Sequence, residues 1–389
     1  MMKRWKAKIR RGRRMVRYSD AFYEAELIFP PEPRHNHASC ILECPNGDIL
    51  VCWYNGSGEK EADDVRIEGA RKRKGMKGWI RFVMADTPDY PDCNPCMFLD
   101  PLGKLWLIWA TILANEWDTA ILKYRVSSSY LEDAEPRWEM GDLIHITPRE
   151  DFVEEVLKAC DEEGREEFRA YIEDRRRRVK NKLLLRIGWM PRAHPLVLDG
   201  GRILLPLYSD GFDFSLIAIS DDLGFSWRPS LPLISYGGIQ PTLVQREDGT
   251  IVAYMRDNGP FPKRVMVSES RDGGMSWSPV EKTDLPNPGS GLEVIRLRNG
   301  HWLMVCNDTE VGRNSLVVMI SEDEGRSWRW KRHLERDEPG PEAGSYSYPS
   351  VVQGRDETIH ITYSYHPRPG ALESIKYVHF DERWVLEGD

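Results

Sequence analysis

The sequence predicts an all-β repeat protein, because one octapeptide recurs three times and one strand-turn-strand pattern recurs six times. The octapeptide has the form Ser-x-Asp-x-Gly-x-x-Trp, and its copies start at Ser220, Ser270 and Ser321, about 50 residues apart. Four fixed positions in three copies are not a coincidence. A period of this length is typical of stacked supersecondary units such as propeller blades. The octapeptide therefore predicts the fold and leaves the chemistry of the protein open.

The residues of the octapeptide predict a tight turn between two strands. Its Asp, found as Asp222, Asp272 and Asp323, can accept hydrogen bonds from backbone amides of the turn. Its Gly, two residues later, adopts a positive φ without steric cost. The Trp is large enough to fill the gap between neighbouring units. We expect these turns to join the outer strands of their blades, with a degenerate copy in the second unit from Val126 to Trp138.

A second repeat sets the number of units at six. It consists of two short apolar runs, rich in β-branched residues, joined by a polar turn that usually contains Gly, which is typical of a β-hairpin. Its copies begin at His37, Asn94, His194, Gln240, Gly291 and Tyr348. Six units of four strands predict a six-bladed β-propeller. We assign residues 21–389 to this single domain.

One segment departs from the β pattern. Apolar residues at helical spacing, among them Phe152, Val156 and Cys160, predict a helical insertion at about residues 148–182, between the second and third blades. Its run of four arginines, Arg175–Arg178, is typical of a solvated helix face, and an anionic ligand is the alternative. The sequence leaves open whether the insertion is a lid over a site or a subunit contact.

Composition argues against several classes of protein. The chain has 389 residues, 41% of them hydrophobic, and a net charge of −8, which argues against non-specific binding of nucleic acid. No apolar run reaches the length of a membrane span. Residues 1–20 are basic without a following apolar stretch, so we expect a tail and not a secretory signal. Seven cysteines without a zinc-type CxxC pair favour a reducing, cytoplasmic setting.

Polar residues gather where the propeller axis is expected. The first strand of each blade starts near the axis and the second returns to the same face, so both contribute to one funnel. Counting from the hairpin turns, the first-strand positions are His37, Asn94, His194, Gln240, Gly291 and Tyr348. The second-strand positions are Tyr54, Ala110, Tyr208, Arg256, Asn307 and Ser364. Buried polar groups are costly without partners, so their convergence favours a ligand site over a water-filled channel.

The octapeptides and several other stretches make the chain similar to a known family. The octapeptides resemble the Asp boxes of sialidases. The stretches HNHAS, NPC, IQPTLV, MRDNG, NDTEVGR and SYSYPS resemble a large group of bacterial and archaeal BNR-repeat proteins. The resemblance covers nearly the whole chain apart from the basic tail and the helical insertion. It implies a six-bladed propeller with an arginine triad that binds a substrate carboxylate. It also implies a Tyr nucleophile activated by a Glu, and an Asp acid/base.

The resemblance assigns roles to particular residues. It implies that Arg256 and Arg313 are triad arginines and that Tyr348 is the nucleophile. Asp63 or Asp64, in a loop of the first unit, lies where the acid/base is expected. The other predicted substrate-binding residues are Gln240, Asn94, His194, Tyr208, Asn307 and Tyr346.

Two substitutions depart from the sialidase pattern. His37 stands where the first triad arginine is expected, and Gln240 stands where the Tyr-activating Glu is expected. A neutral His does not hold a carboxylate through two parallel hydrogen bonds as an arginine does. A Gln amide does not take a proton from Tyr348, whose ordinary pKa is near 10. True sialidase activity is therefore not expected, and His37 or His194 would have to supply the missing base.

Three functions fit these residues. In an exo-acting glycoside hydrolase, Asp63 or Asp64 protonates the leaving oxygen, the two arginines orient an acidic or polyhydroxylated sugar, and Tyr348 lies near the anomeric carbon. In a uronate lyase, the arginines neutralise the uronate carboxylate while a His or Tyr abstracts the adjacent proton. A carbohydrate-binding propeller without turnover is the third function, favoured if Gln240 marks an inactive nucleophile.

One further carboxylate is expected near the rim. Glu310 lies three residues before Arg313, and an exposed Glu in a loop is usually a surface charge. We expect a carbohydrate as the partner, and no nucleic acid, membrane, metal or cofactor. The oligomeric state is left open.

Overall fold

Six antiparallel sheets, arranged as the blades of a propeller, make up the computed structural model, which describes residues 21–389. The prediction of a six-bladed β-propeller is confirmed. The predicted basic tail, residues 1–20, lies outside the described residues. Within the described part of the chain, no helix is long and apolar enough to cross a bilayer.

Each blade is built around a meander of antiparallel strands whose first strand lies innermost. The chain begins with β1 (Tyr23–Leu27), which belongs to the last blade. Blade 1 consists of β2 (His35–Glu43), β3 (Ile49–Gly56), β4 (Arg66–Lys72) and β5 (Ile80–Ala85). Blade 2 consists of β6 (Asp92–Leu99), β7 (Leu105–Ile112), β8 (Ala120–Ser127) and β9 (Met140–Leu143).

Blade 3 differs from the others because its first strand is broken into two short pieces that both pair with the same neighbour. It consists of β10 (Met190–Pro191), β11 (Leu196–Val197), β12 (Ile203–Ser209), β13 (Phe214–Ser220) and β14 (Arg228–Pro229). Blade 4 consists of β15 (Gly238–Gln245), β16 (Ile251–Asp257), β17 (Arg264–Ser270) and β18 (Glu281–Pro286). Blade 5 consists of β19 (Glu293–Arg296), β20 (Trp302–Cys306), β21 (Ser315–Ser321) and β22 (Trp330–Arg336).

Blade 6 closes the ring with strands from both ends of the chain. It consists of β23 (Ser345–Gln353), β24 (Ile359–His366), β25 (Ser374–Phe380) and the N-terminal β1. β1 pairs antiparallel with β25, from Tyr23 opposite Phe380 to Leu27 opposite Lys376. The sequence repeats did not identify β1, because YEAEL carries two charged residues and matches neither pattern.

The helical insertion lies between blades 2 and 3, as the sequence predicts. Its helices are α1 (Glu150–Glu162), α2 (Arg169–Lys180) and α3 (Lys182–Arg186), with a short 3-10 helix at Glu166–Phe168. Outside the insertion, a 3-10 helix at Trp117–Thr119 lies in blade 2, and α4 (Glu382–Leu386) follows the last strand. Phe152, Val156 and Cys160 of α1 are buried in one cluster with Phe212 and Phe214 of blade 3. The insertion is therefore part of the hydrophobic core.

The run of four arginines is not simply a solvated face, which corrects the sequence expectation. Arg175 is only 4% exposed and donates a hydrogen bond to the carbonyl oxygen of Phe212 (3.0 Å). The next three arginines pair with acidic neighbours on the insertion or on blade 2: Arg176 with Asp161, Arg177 with Asp174, and Arg178 with Asp174 and Asp118. The run thus fastens the insertion to the propeller.

The Asp boxes form the turns that their residues predict, each between the third and fourth strands of a blade. In the first box, Ser220 Oγ accepts a hydrogen bond from the backbone N–H of Gly224 (2.8 Å), and Asp222 Oδ1 accepts one from that of Ser226 (2.8 Å). The same bonds occur in the other two boxes. Gly224 has a φ of +88°, and a Cβ there would lie 2.4 Å from the Trp106 ring of blade 2. Glycine is required both by the turn and by this packing.

We expect alanine at Gly224 to cost more stability than alanine at Gly249, a matched control. Both residues have a φ of +88°, but a Cβ at Gly249 would meet nothing within 4 Å. Gly249→Ala should cost about 1 to 2 kcal/mol for the left-handed backbone. Gly224→Ala should cost about 1 to 3 kcal/mol more, because it also forces Trp106 to move. Urea unfolding of the two variants measures the difference, and equal losses would contradict the packing of the turn on blade 2.

Candidate functional site

A bulge in the first strand turns one residue towards the axis in four of the blades. Ala38, Asn94, Gln240 and Tyr348 all have positive φ values, from 51° to 56°. Each lies where the pairing between first and second strands slips. A left-handed backbone costs a residue other than glycine roughly 1 to 3 kcal/mol, and bulges are frequent beside active sites because they re-aim side chains. The repeated strain marks this ring of residues as the candidate site.

In blade 1 the residue at the bulge lies one position later than the count from the hairpin turn predicts. The count placed His37 in the first-strand tier, ten residues before Gly47, whereas the bulge residue is Ala38, nine residues before it. The other tier residues with a complete hairpin also stand nine residues before their turn. His37 nevertheless reaches the site, because its ring lies 4.3 Å from the ring of Tyr348.

Arg256, Arg313 and Tyr348 are brought together from three blades. Arg256 Nη1 donates a hydrogen bond to the hydroxyl oxygen of Tyr348. The guanidinium carbons of Arg256 and Arg313 lie 5.9 and 5.2 Å from the centre of the Tyr348 ring. Arg313, in the loop before β21, also donates from Nη2 to the carbonyl oxygen of Gly289 (3.3 Å).

A third arginine, which sequence reasoning missed, completes the cluster. The guanidinium carbon of Arg192 lies 5.3 Å from the Tyr348 ring centre, and Nη2 donates to the carbonyl oxygen of Pro349 (2.6 Å). Arg192 lies between β10 and β11 and is only 1% exposed. Its position, two residues before His194 in MPRAHP, is the sequence signal that could have identified it.

The three arginines lack a direct carboxylate partner, because none of them forms a salt bridge with a carboxylate among the residues that the structure describes. Arg192 Nε and Nη1 and Arg256 Nε are buried with no hydrogen-bond partner there. Buried donors without partners are expensive in a finished structure. The cluster is therefore suited to an anionic ligand.

The arginine cluster changes the acidity of Tyr348. Burial opposes ionisation of the phenol, but the charges of Arg256 and Arg313, together with a hydrogen bond from Gln240, lower the pKa of Tyr348 below its ordinary value. Gln240 thus does not replace a Glu as base, and the arginines favour the phenolate instead. A nucleophile of lowered pKa needs less help from a general base.

A neutral network surrounds the phenol on the side of blades 2 to 4. Tyr208 Oη accepts hydrogen bonds from Asn94 Nδ2 (3.0 Å) and Gln240 Nε2 (3.2 Å). The Tyr208 hydroxyl proton has no acceptor among the described residues, so it is free to be donated to a ligand. Gly291 makes room, because a Cβ there would lie 3.1 Å from Gln240 Oε1 and 3.4 Å from Tyr348 Cδ1.

His37 is a buried, neutral imidazole. Burial, then the charges of His35 and Arg313, lower the pKa of His37 well below its ordinary value. Its Nδ1 is buried without a hydrogen-bond partner within residues 21–389. Because the His37 ring is neutral and its Nδ1 has no partner there, it is suited to accept a proton from a ligand beside Tyr348.

The blade 1 loop predicted to hold the acid/base turns a different carboxylate inwards. Glu59 Oε1 accepts hydrogen bonds from Tyr54 Oη (2.9 Å) and His35 Nε2 (3.1 Å). Burial opposes its ionisation, but these bonds lower the pKa of Glu59. Asp63 and Asp64 are both exposed: Asp63 accepts from Asn115, and Asp64 accepts from Ser57 and pairs with Arg34 (3.0 Å). The carboxylate of Asp64 thus holds its own loop.

Asp210 is a carboxylate of the site that sequence reasoning missed. It lies two residues after Tyr208, in the loop between β12 and β13, and it makes no hydrogen bond among the described residues. Burial raises the pKa of Asp210, and the nearby charges of Arg256 and Lys60 only partly oppose this. Burial also raises the pKa of Asp213, at the end of the same loop, to about 6. A carboxyl with a raised pKa is suited to act as a proton donor.

Four other predicted residues lie outside this cluster or hold structure. Asn307 Nδ2 donates to the carbonyl oxygens of Ser315 (2.6 Å) and Tyr346 (2.8 Å). Tyr346 packs in the cluster between blades 5 and 6, and its hydroxyl donates to Asp337 (2.9 Å). Glu310 pairs with Arg264 at the surface (2.5 Å). His194 lies farther along the channel, beside Glu293, and is described below.

Comparison with known proteins agrees with this architecture. The BNR repeat-like domain family matches residues 172–361, just under half of the chain. Over these residues the chain is therefore similar to BNR-repeat proteins. Among similar solved structures is a protein of unknown function from Dyadobacter fermentans, with 15% identity, a TM-score of 0.67, and coverage of 92% of this chain and 98% of that one.

Two other similar structures are named as enzymes of sialic acid. One is a mutant of the NanB sialidase of Streptococcus pneumoniae, with 12% identity, a TM-score of 0.69, and coverage of 92% of this chain and 70% of that one. The other is the leech intramolecular trans-sialidase, with 12% identity, a TM-score of 0.67, and coverage of 93% and 71%. At such identities the likeness establishes the fold of this chain and leaves its activity open.

Replacing Tyr348 should remove one early-ionising tyrosine from the protein. Tyr348→Phe is expected to abolish phenolate absorbance that the native chain develops below the ordinary tyrosine range, because the arginines lower the pKa of Tyr348. Tyr346→Phe is the matched control, since burial and a hydrogen bond to Asp337 raise the pKa of Tyr346. Ultraviolet titration of the folded proteins measures both. Identical curves for Tyr348→Phe and the native chain would contradict the assigned environment.

Proposed function

We propose that this chain is an exo-acting glycoside hydrolase that releases a terminal sugar bearing a carboxylate. The observation that carries the proposal is the cluster of Arg192, Arg256 and Arg313 around the Tyr348 ring, without a carboxylate partner among residues 21–389. Arginines hold a carboxylate through parallel, charge-assisted hydrogen bonds. The site therefore has the charge of a receptor for an acidic sugar.

Tyr348 and Asp210 supply the two chemical steps. In the first, Tyr348 Oη bonds to the anomeric carbon while the bond from that carbon to the leaving oxygen breaks, and Asp210 donates its proton to that oxygen. In the second, the Asp210 carboxylate takes a proton from water, and the water oxygen displaces Tyr348 from the anomeric carbon. The lowered pKa of Tyr348 and the raised pKa of Asp210 support these roles, because each shift favours the protonation state that its role requires.

The depth of the site supports cleavage at a chain end. Tyr348 and Arg256 are each 8% exposed, and Asn94 and Tyr208 are each 3% exposed. A sugar that reaches all four must enter the funnel end-on, whereas a polysaccharide bound along its length needs an open cleft. Tyr208 is suited to donate its hydroxyl proton to a sugar oxygen in that position.

The fold likeness supports glycoside chemistry by analogy only, because one propeller fold carries unrelated functions. The differences from the sialidase pattern favour a sugar acid held in another orientation. Blade 1 contributes the neutral His37, and the third positive charge comes from Arg192 in blade 3. A carboxylate bound to these arginines is displaced towards blade 3.

A uronate lyase is the second candidate, and His37 is the observation that favours it. The His37 ring is neutral, has an unpartnered Nδ1 and lies 4.3 Å from the Tyr348 ring. In a lyase the arginines would neutralise the uronate carboxylate, His37 would abstract the proton on the adjacent carbon, and Tyr348 would protonate the leaving oxygen. This scheme needs Tyr348 in its phenol form, which the lowered pKa disfavours.

Asp210→Asn should slow a substrate with a poor leaving group more than one with a good leaving group. We expect kcat to fall about 10²- to 10⁴-fold on a natural glycoside, and far less on an aryl glycoside whose leaving oxygen needs no proton. Asp63→Asn and Asp64→Asn are the controls, and kcat should stay within about twofold of the native value. A large loss at Asp63 or Asp64 with none at Asp210 would move the proton donor to blade 1.

A screen of the purified protein against sialosides, uronic-acid oligosaccharides and neutral aryl glycosides separates the functions. A hydrolase releases a reducing sugar without ultraviolet absorbance, and it should prefer acidic substrates because of the three arginines. A lyase forms an unsaturated uronate that absorbs in the ultraviolet, and His37→Gln should abolish it. Binding without turnover of any acidic sugar would reject both enzymes in favour of a carbohydrate-binding propeller.

Arg192→Met tests the substrate class directly. It should raise KM for an acidic substrate by about 10- to 100-fold, the loss expected for one charge-assisted contact, and leave the KM of a neutral aryl glycoside nearly unchanged. Initial rates over a range of substrate concentrations measure this. Equal effects on acidic and neutral substrates would show that Arg192 does not contact the carboxylate.

A further inference from the structure

A second cluster of reactive groups lies on the axis, beyond the candidate site. His194 Nδ1 lies 2.7 Å from Glu293 Oε1, and His194 Nε2 lies 2.8 Å from the carbonyl oxygen of Ile41 and 3.3 Å from Cys40 Sγ. The sequence placed His194 in the first-strand tier as a substrate-binding residue. The structure brings it instead to a cysteine, a carboxylate and a carbonyl.

The contacts of His194 define its protonation state. Both ring nitrogens face acceptors, so both carry a proton, and the ring is an imidazolium. Glu293 is held as a carboxylate, because Oε1 accepts the backbone N–H of His194 (2.9 Å) and Oε2 accepts that of Val351 (2.8 Å). The charges of Cys40 and Glu293 outweigh burial and raise the pKa of His194 well above its ordinary value.

Two donors point at the sulfur of Cys40. The backbone N–H of Met97 lies 3.2 Å from Sγ, and His194 Nε2 lies 3.3 Å from it. The charge of a nearby imidazolium and an amide N–H donated to the same sulfur favour the thiolate, as at catalytic cysteines. Burial opposes this, but the contacts with Cys52 and Cys96 and the charge of His194 lower the pKa of Cys40 well below its ordinary value.

A cavity leads to this cluster from the side of the channel away from Tyr348. It has a volume of about 300 Å³ and lies between the first strands of blades 3, 4 and 5, with His194, Glu293, Thr242 and Gln245 in its wall. The His194 side chain is 16% exposed there, whereas Cys40 is only 1% exposed. A small uncharged molecule that reaches His194 is next to the sulfur, and a bulky reagent is excluded.

A second thiol is in place to react with Cys40. Cys52 is the residue opposite Cys40 in the pairing of β2 with β3. Paired residues on neighbouring strands have Cα atoms about 4.5 to 5.5 Å apart, within the range of about 4.4 to 6.8 Å that a disulfide bridges. Burial raises the pKa of Cys52, so it remains a thiol beside the thiolate. Within the described residues, no group of three or more His, Cys, Asp or Glu side chains has metal-binding geometry.

We infer that Cys40 is a peroxide-reactive thiolate, activated by His194 and the Met97 amide, and that Cys52 resolves its oxidised form as a disulfide. The thiolate attacks one peroxide oxygen, forming an S–O bond and breaking the O–O bond. The departing hydroxide takes the His194 proton and leaves as water. Cys52 sulfur then attacks the Cys40 sulfenic acid, forming the S–S bond, and the hydroxyl leaves with the Cys52 proton as a second water.

Both steps balance. The two sulfurs lose two electrons in total and the peroxide oxygens gain them. The His194 proton leaves in the first water, so His194 is neutral beside the disulfide, and it is protonated again when the disulfide is reduced. The inference is independent of the proposed hydrolase, because it uses none of the residues around Tyr348.

The test is the oxidation rate of each cysteine in the full-length protein. The folded chain is treated with hydrogen peroxide without reductant, quenched with a thiol-blocking reagent and mapped by peptide mass spectrometry. We expect a Cys40–Cys52 disulfide to form at least about tenfold faster than Cys306 is oxidised. Cys306 is the matched control, because it is also fully buried and burial raises its pKa to about 12. Equal rates, or oxidation that spares Cys40, would overturn the inference.

Variants separate the two roles. Cys52→Ser should leave Cys40 as a sulfenic acid that a dimedone probe captures, and His194→Gln should slow Cys40 oxidation to the rate of Cys306. Thiolate absorbance of the unoxidised native chain at neutral pH, compared with Cys40→Ser, is a readout that needs no peroxide. Its absence from the native chain would also overturn the inference, even if a variant fails to fold.

Discussion

The left-handed bulge in the first strands is the constraint on which the rest of the site depends. A regular strand alternates its side chains between the two neighbouring blades, and none of them would be aimed along the axis. The extra residue at Asn94, Gln240 and Tyr348 breaks this alternation and directs three side chains to one point. The backbone strain is tolerated because six clusters of buried side chains between the blades hold the strands on both sides of each bulge.

The elements that depend on residues close in sequence could be predicted from the sequence. Contacts between residues far apart in the sequence could not. The Asp boxes and hairpin turns depend on contacts within a few residues, so their residues predict them directly. β1 pairs with β25, about 350 residues away. Its short, charged sequence contains no feature that predicts this pairing. In the site, Arg256, Arg313 and Tyr348 could be predicted because the repeats give their positions. The count from the turn missed Arg192, because the first strand of blade 3 is broken into β10 and β11 and the count fails there.

Charge explains how the site can differ from the sialidase pattern and remain coherent. A Glu in the place of Gln240 would neutralise one arginine and accept the Tyr348 proton. With Gln240, no carboxylate at this position opposes the arginines, and the charges of Arg256 and Arg313 lower the pKa of the Tyr348 phenol. The loss of the Glu and the activation of the Tyr are thus two consequences of a single change in the charge balance. The neutral His37 fits the same balance, since a fourth positive charge beside Tyr348 would remain unpaired.

The helical insertion supports the part of the proposed site that lies in blade 3. Both groups that replace sialidase-type residues of blade 1, Arg192 and the proposed acid Asp210, belong to blade 3. The loop that carries Asp210 is fastened from the insertion, because Arg175 binds the carbonyl oxygen of Phe212, and Gly211 packs so tightly against Arg178 that a Cβ there would lie 2.5 Å from Nη1. An acid on an unsupported loop would move into water, and its raised pKa would be lost with its burial. The insertion therefore holds the Asp210 loop against the propeller, a role distinct from that of a lid that opens and closes over the funnel.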